Sequence, residues 1–353
     1  MSVRRISGAI KLVVLGLILF ACGGTAATTT TAAATTTTTA AATTTTAAET
    51  TTTAAEVEAA LVGINVYGTF DVLDQALAGL VARMEELGYT EGENIEYDIQ
   101  NPEFDEAANF TIAQQFADEG VDVMVGFATP PTQAMISVTE ETPIVFVASS
   151  TPVESELIAS MDAPGGNVTG VADLLPIEAE IDTMLAIAPD IATVGLIWTS
   201  GDVSGTNSKE RAQAYLESLG IAIEEAPITG PEDTQQAAQS LVGRVDAIQL
   251  PCDSSTLAGV EAITSVATEA GIPVFGCTGE AVSKGALLAG AYNYTEVGAA
   301  AADLIDAILQ GADPASTPVS VPEITGTELN LTVAGELGIE IPQDIIDAAV
   351  KTY

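Results

Sequence analysis

The sequence predicts an α/β protein made of two similar βαβ lobes with parallel sheets, set in tandem and facing one another across a cleft. Three observations predict it. Beyond residue 60, apolar β-branched runs alternate with amphipathic helical stretches. The pattern restarts near residue 193, and the segments that follow the strands in both halves are rich in Ser, Thr, Asp, Asn and Gly. Strands alternating with helices imply parallel βαβ units with right-handed crossovers.

In order along the chain, LVGINVY (61–67) reads as a buried strand and residues 71–87 as the amphipathic helix after it. NIEYDIQN (94–101), VDVMVGF (121–127), PIVFVAS (143–149) and NVTGVAD (167–173) continue the strands, with helices between. TVGLIWT (193–199) then echoes the first strand, and residues 230–250 echo residues 101–125. GIPVFGC (271–277) echoes TPIVFVA (142–148), so the offset stays near 125 to 130 residues across the block. That period is too long for a solenoid and describes two tandem lobes. Open parallel sheets bind ligands beyond the carboxyl ends of their strands, so two such sheets facing each other form a cleft. Its loops are 67–71, 128–133 and 148–153 from the first lobe, and 198–208, 251–256 and 277–280 from the second. Each precedes a helix, so each Ser, Thr or Asp in them is also a candidate N-cap.

Ahead of the lobes, Arg4, Arg5 and Lys11 precede the uncharged run 12–21, a basic head and short apolar core that predict a signal peptide over residues 1–21. The run is half the length of a membrane span. Leu19-Phe20-Ala21-Cys22 resembles the lipobox of bacterial lipoproteins, which implies a lipid on Cys22 anchoring the chain to the outer face of the cell membrane. Residues 22–59 are mostly Thr and Ala, with too little apolar surface to offset the entropy of ordering, and predict a disordered tether.

Composition excludes several functions. Without residues 1–21 the chain keeps six basic residues against 49 acidic ones, so nucleic acid is not an expected partner. The chain has no histidine, which removes Ser-His-Asp and Cys-His catalysis and histidine metal sites. No metal, cofactor or enzymatic activity is expected. PGGNVTG (164–170) lacks the lysine and spacing of a phosphate-binding loop and reads as a turn. Cys252 and Cys277 follow successive strands of the second lobe, expected neighbours about 5 Å apart; they are either a disulfide or two buried thiols.

PCDSST (251–256), PGGNVTGVADLLP (164–176), ATPPTQ (128–133) and ELGYTEGENIEYDIQNPE (86–103) together resemble the ABC-transporter substrate-binding family that includes tryptophan- and tyrosine-binding lipoproteins. The resemblance runs over nearly all of residues 60–342. It implies a type I periplasmic binding fold, with lobe 1 formed by 60–173 plus about 290–322 and lobe 2 by 174–289 plus about 323–353, joined by a multi-strand hinge. It also implies capture of a small solute, best matched by an aromatic or other hydrophobic amino acid, and delivery to an ABC permease. A solute-sensing lipoprotein of the same fold is the alternative. By the same resemblance Thr129, Gln133, Ser150 and Thr151 hold the ligand from lobe 1, while Asp173, Asn207, Ser208 and Asp253 stand in matching motifs.

An amino acid needs donors for its carboxylate, an acceptor for its ammonium and a pocket for its side chain. Helix starts near Thr129, Ser150, Asn207 and Ser208 offer backbone N–H donors. Asp253, then Asp173, is the expected ammonium partner, a capping or solvated carboxylate being the alternative. Tyr67, Phe70, Trp198 and Tyr292 are the expected side-chain walls, with packing in the core the alternative for Trp198 and Tyr292.

Overall fold

The structure of the protein, a computed structural model, describes residues 59–353. The expected signal peptide, Cys22 and the tether up to residue 58 lie outside the described residues. No described helix is long and apolar enough to cross a membrane.

Two sheets organise the chain. The first contains β1 (Ala60–Val66), β2 (Ile95–Gln100), β3 (Val123–Phe127), β4 (Ile144–Ser149) and β5 (Val168–Ala172), all parallel and ordered 2-1-3-4-5. Its connections carry α1 (Asp71–Glu86), α2 (Glu106–Glu119) and α3 (Thr129–Val138). After α4 (Ile177–Ile187) the second sheet opens with β6 (Thr193–Thr199), β7 (Ala222–Ile228), β8 (Ala247–Gln249), β9 (Val274–Phe275) and β10 (Leu288–Ala291). Its intervening helices are α5 (Val203–Ser218), α6 (Thr234–Leu241), α7 (Ser254–Ala258), α8 (Val260–Glu269) and α9 (Gly279–Ser283). The order 7-6-8-9-10 repeats the first sheet's topology, and β11 (Gly326–Leu329) and β12 (Ala349–Thr352) extend its far edge, β11 running antiparallel to β10.

Both sheets are covered on both faces, which explains why their strands read as continuous apolar runs. In the first sheet Val62, Ile64 and Val125 pack toward α1, while Met124, Ile144 and Phe146 pack with Phe116 of α2. In the second, Ile197 and Ile248 face α6 and α8, and Val194 and Leu196 face α4 and α5.

The chain passes between the sheets more than once. Helix α10 (Tyr294–Leu309) follows β10 of the second sheet yet packs on α1, β4 and β5 of the first. Ser320 then hydrogen-bonds to the first sheet at Gly170 and Ala172, before Thr325 returns to Ala291 of the second. With residues 173–176, this makes three crossing segments among the described residues. Helices α1 and α10 meet so closely that a Cβ at Gly298 would fall on the Ala76 carbonyl, and one at Gly79 on the Thr295 carbonyl. Gly298→Ala should therefore cost about 1 to 3 kcal/mol by overpacking. Urea unfolding checks it, and an unchanged midpoint would show that the helix pair separates without penalty.

Candidate functional site

Both sheets have a topological switch point, between β1 and β3 in the first and between β6 and β8 in the second, where ligands of open α/β sheets bind. The loops leaving these four strands converge on one partly open cavity. About 460 Å³ there is unoccupied by atoms, a space that includes open solvent at its mouth. Helix starts surround it: Phe70, Ala128, Asp202, Asp253 and Thr278 are the residues immediately before α1, α3, α5, α7 and α9, and all five line the cavity.

Three carboxylates and no cationic side chain line this space. Asp253 closes a capping box on α7 and is bound by three donors: Thr256 N–H at 2.9 Å, Thr199 N–H at 2.9 Å and Thr199 Oγ1 at 2.5 Å. Asp202 caps α5 through the Gly205 N–H at 3.1 Å and is the less committed of the two. Burial, then repulsion from Asp253, raises the Asp202 carboxyl above its ordinary range. Burial also raises Asp253, against the pull of the threonine hydrogen bonds. Across the cavity Asp173 accepts from Tyr294 Oη at 3.0 Å and Ser150 Oγ at 3.2 Å, and burial pushes it up to about 6. Among the described residues, no group of three or more Cys, Asp and Glu is placed to hold a metal ion.

The apolar wall is Phe70, stacked on Phe104 with ring centres 6.3 Å apart, with Tyr67 edge-on behind Phe104 at 5.4 Å. Tyr294 faces the cavity from the start of α10.

Of the residues expected from sequence to form the site, Phe70, Thr129, Ser150, Asp173 and Asp253 line the cavity. The others do not. Tyr67 lies behind the wall with its hydroxyl on Glu106. Trp198 points to the opposite face of β6, packing with the α4–α5 cluster beneath Lys209, whose Nζ is 5.0 Å from the ring centre. Strand parity puts it there, since its neighbour Thr199 points the other way, toward Asp253; the expected Trp198 wall is replaced by Tyr294. Tyr292 instead donates to the Leu174 carbonyl at 2.7 Å in a crossing segment. Ser208 is buried within α5 with no partner for its hydroxyl. Gln133 bonds the Ser155 carbonyl at 3.3 Å. Thr151 and Asn207 join the sheet units, Thr151 Oγ1 to Ser204 Oγ at 3.4 Å and Asn207 Nδ2 to Ser155 Oγ at 3.4 Å. Asp202, Thr278 and Tyr294 line the cavity in addition to the residues expected from sequence. An Asp three residues before a glycine and an Asn three before a Glu are the capping signals that place Asp202 and Tyr294 at helix starts.

A further contact spans the cavity mouth. Helix α1 has no side-chain cap of its own at Phe70, and its Val72 N–H donates to Glu280 Oε2 of α9 at 3.0 Å. Lys284 holds the other Glu280 oxygen at 2.5 Å.

Fold and cavity together define a two-lobed solute-binding protein. Residues 61–353 match the family described as ABC transporter substrate binding protein, and the chain belongs to that family, whose members bind substrates rather than transform them and serve ABC transporters outside the cytoplasm. Its fold is that of the type I periplasmic binding proteins. It is 29% identical over 269 residues to a tyrosine-binding protein of Clostridioides difficile (strain R20291), covering 76% of this chain and 78% of the relative. A Streptococcus pneumonia domain crystallised with L-Trp is 28% identical, covers 84% of this chain and all of its own, and superposes with a TM-score of 0.80. A Clostridium difficile substrate-binding protein with adhesive properties, in its ligand-free, open form, is 29% identical over 83% of this chain and all of its own, with a TM-score of 0.62. At nearly equal identity and coverage, the lower score is one of geometry: the present arrangement is nearer the ligand-bound relative than the open one.

Proposed function

We propose that the chain is a lipid-anchored receptor, tethered by Cys22 outside the cell, that captures an aromatic amino acid between its lobes and presents it to an ABC permease. The observation that carries the ligand class is the cavity lining, three carboxylates with no cation beside two aromatic rings. The ligand's ammonium lies against Asp202 and Asp253, where low dielectric strengthens a charge-assisted pair. Its carboxylate turns toward Thr129 and Ser150, and its ring packs between Phe70 and Tyr294, where stacking adds about 0.5 to 1.5 kcal/mol beyond burial. The names of the tyrosine-binding relative and the tryptophan complex support this reading.

Calorimetric titration with each of the common amino acids tests it, alongside mass spectrometry of ligand retained through gentle purification. Micromolar or tighter binding of tyrosine, tryptophan or phenylalanine is expected; no heat from any of them sinks the assignment. Trp198 lies off the cavity, so direct quenching of its fluorescence is not expected.

Closure about the three crossing segments is the motion that couples capture to delivery. Glu280 is its latch, because the Val72 N–H meets this acceptor only when the lobes are together. Glu280→Gln removes the charge facing both Lys284 and the α1 dipole, and should shift the ligand-free chain toward an open form by about 1 to 2 kcal/mol. Small-angle scattering should then report a larger radius of gyration that ligand restores. An unaltered scattering curve and unaltered affinity would rule the latch out.

A further inference from the structure

Cys252 and Cys277 form a disulfide, with Cα atoms 4.7 Å apart. Each cysteine is followed at once by a cavity-lining residue, Asp253 and Thr278. Each also has a positive φ, 67° at Cys252 and 86° at Cys277, a conformation that costs a residue bearing a Cβ. The first lobe has the same geometry at the equivalent strand ends, Ala128 at 83° and Ala148 at 57°, but no crosslink. The two lobes differ in what holds those ends. Strands β3 and β4 pair at four positions, whereas β8 and β9 pair only at Ile248 with Val274 and Gln249 with Phe275. A shorter ladder leaves the second pair of loops with fewer backbone restraints, and the disulfide joins them just past the last paired residues. Thr278 adds an independent sign that this end faces a ligand: its side chain is 2% exposed, lines the cavity, and its Oγ1 has no partner.

We propose that the Cys252–Cys277 disulfide is a positioning element of the binding site, standing in for the missing ladder to hold Asp253 and Thr278 against the ligand, so that reducing it weakens capture. The proposal rests on the reading of the cavity as the amino-acid site. Cys252 lines the cavity and is partly exposed, whereas Cys277 is buried, so a reductant reaches the bond from the ligand's side. A dithiol reductant supplies two electrons and two protons: the Cys252–Cys277 bond breaks, each sulfur takes a proton, and the reductant closes to its own disulfide.

The test compares the oxidised full chain, the dithiol-reduced chain and the double variant Cys252→Ala/Cys277→Ala, which gives the second lobe the alanines that the first already carries. Calorimetry with L-tyrosine and L-tryptophan should show about tenfold or greater loss of affinity in the reduced and variant forms, the scale expected when a site loosens by about an ångström. By reciprocity the bound amino acid should protect the bond, lowering its reduction potential by about 30 mV for each tenfold difference in affinity. If the disulfide merely stabilised the fold, reducing it would lower the unfolding midpoint without this linkage. Hydrogen exchange in the ligand-free chain should quicken at residues 251–258 and 277–283 on reduction, while residues 128–132 and 148–151 stay unchanged. Affinities within twofold across the three forms overturn the proposal. If the oxidised chain binds neither amino acid, the ligand assignment fails on its own, and unchanged exchange at the two loops then overturns the positioning role.

Discussion

Asp202→Asn should weaken capture of an aromatic amino acid by about 2 to 5 kcal/mol, the cost of removing one member of a desolvated charge pair. Asparagine keeps the N-cap of α5, because its side-chain oxygen still accepts from the Gly205 N–H. Thermal stability should therefore change little while affinity falls. Asp253→Asn is the contrast. Asp253 accepts from Thr199 twice and from Thr256, and an amide presents only one acceptor oxygen, so this change should lower both the unfolding midpoint and the affinity. Calorimetry paired with thermal unfolding on both variants separates the two roles. Wild-type affinity in Asp202→Asn would move the ammonium site elsewhere in the cavity.

The repeat made the architecture legible. An offset near 125 to 130 residues, read from apolar strand patterns alone, corresponds to two sheets of matching order with their switch points on one cavity. Burial on both faces of a parallel sheet writes itself into sequence as apolar runs, and these survive without knowledge of tertiary contacts. The cavity lining was legible only as loops. Asp202 and Asp253 are both helix N-caps after strands of one sheet, and nothing local tells a cap with a spare face from one enclosed by Thr199. Trp198 shows a related limit, since a strand covered on both faces carries no polar alternation to say which parity points at the cavity. Tyr292 and Tyr294 are two residues apart, and the start of α10 between them turns the second inward while the first bonds a crossing segment. The choice in each case is made by tertiary packing, Thr199 for Asp253, the α4–α5 face for Trp198 and a crossing segment for Tyr292, which no local pattern records.

Affinity should also depend on pH, and with a sign opposite to that of stability. In the ligand-free site Asp202 and Asp253 are buried together, and burial, joined at Asp202 by repulsion from Asp253, holds a proton on the pair above the ordinary carboxylate range. An ammonium placed between them favours both ionised forms, so binding expels that proton. Affinity should then rise with pH from roughly 4 toward neutrality, by at most about tenfold per unit, and level off once the free pair is ionised. Stability of the ligand-free chain runs the other way. A carboxyl whose folded pKa is raised binds more protons folded than unfolded, so its contribution is present below the ordinary carboxyl pKa and is lost as pH rises to the folded value. Glu180, which burial pushes up to about 7 against hydrogen bonds from Gly290 and Gln249, adds to that loss but lies off the cavity. Asp202→Asn should therefore flatten the affinity profile while leaving the Glu180 share of the stability slope, and Glu180→Gln should do the reverse. Calorimetry near pH 6 in buffers of different ionisation enthalpy counts the released protons directly. A fractional release approaching one proton per ligand is expected, and no release would mean that the ammonium does not meet this pair.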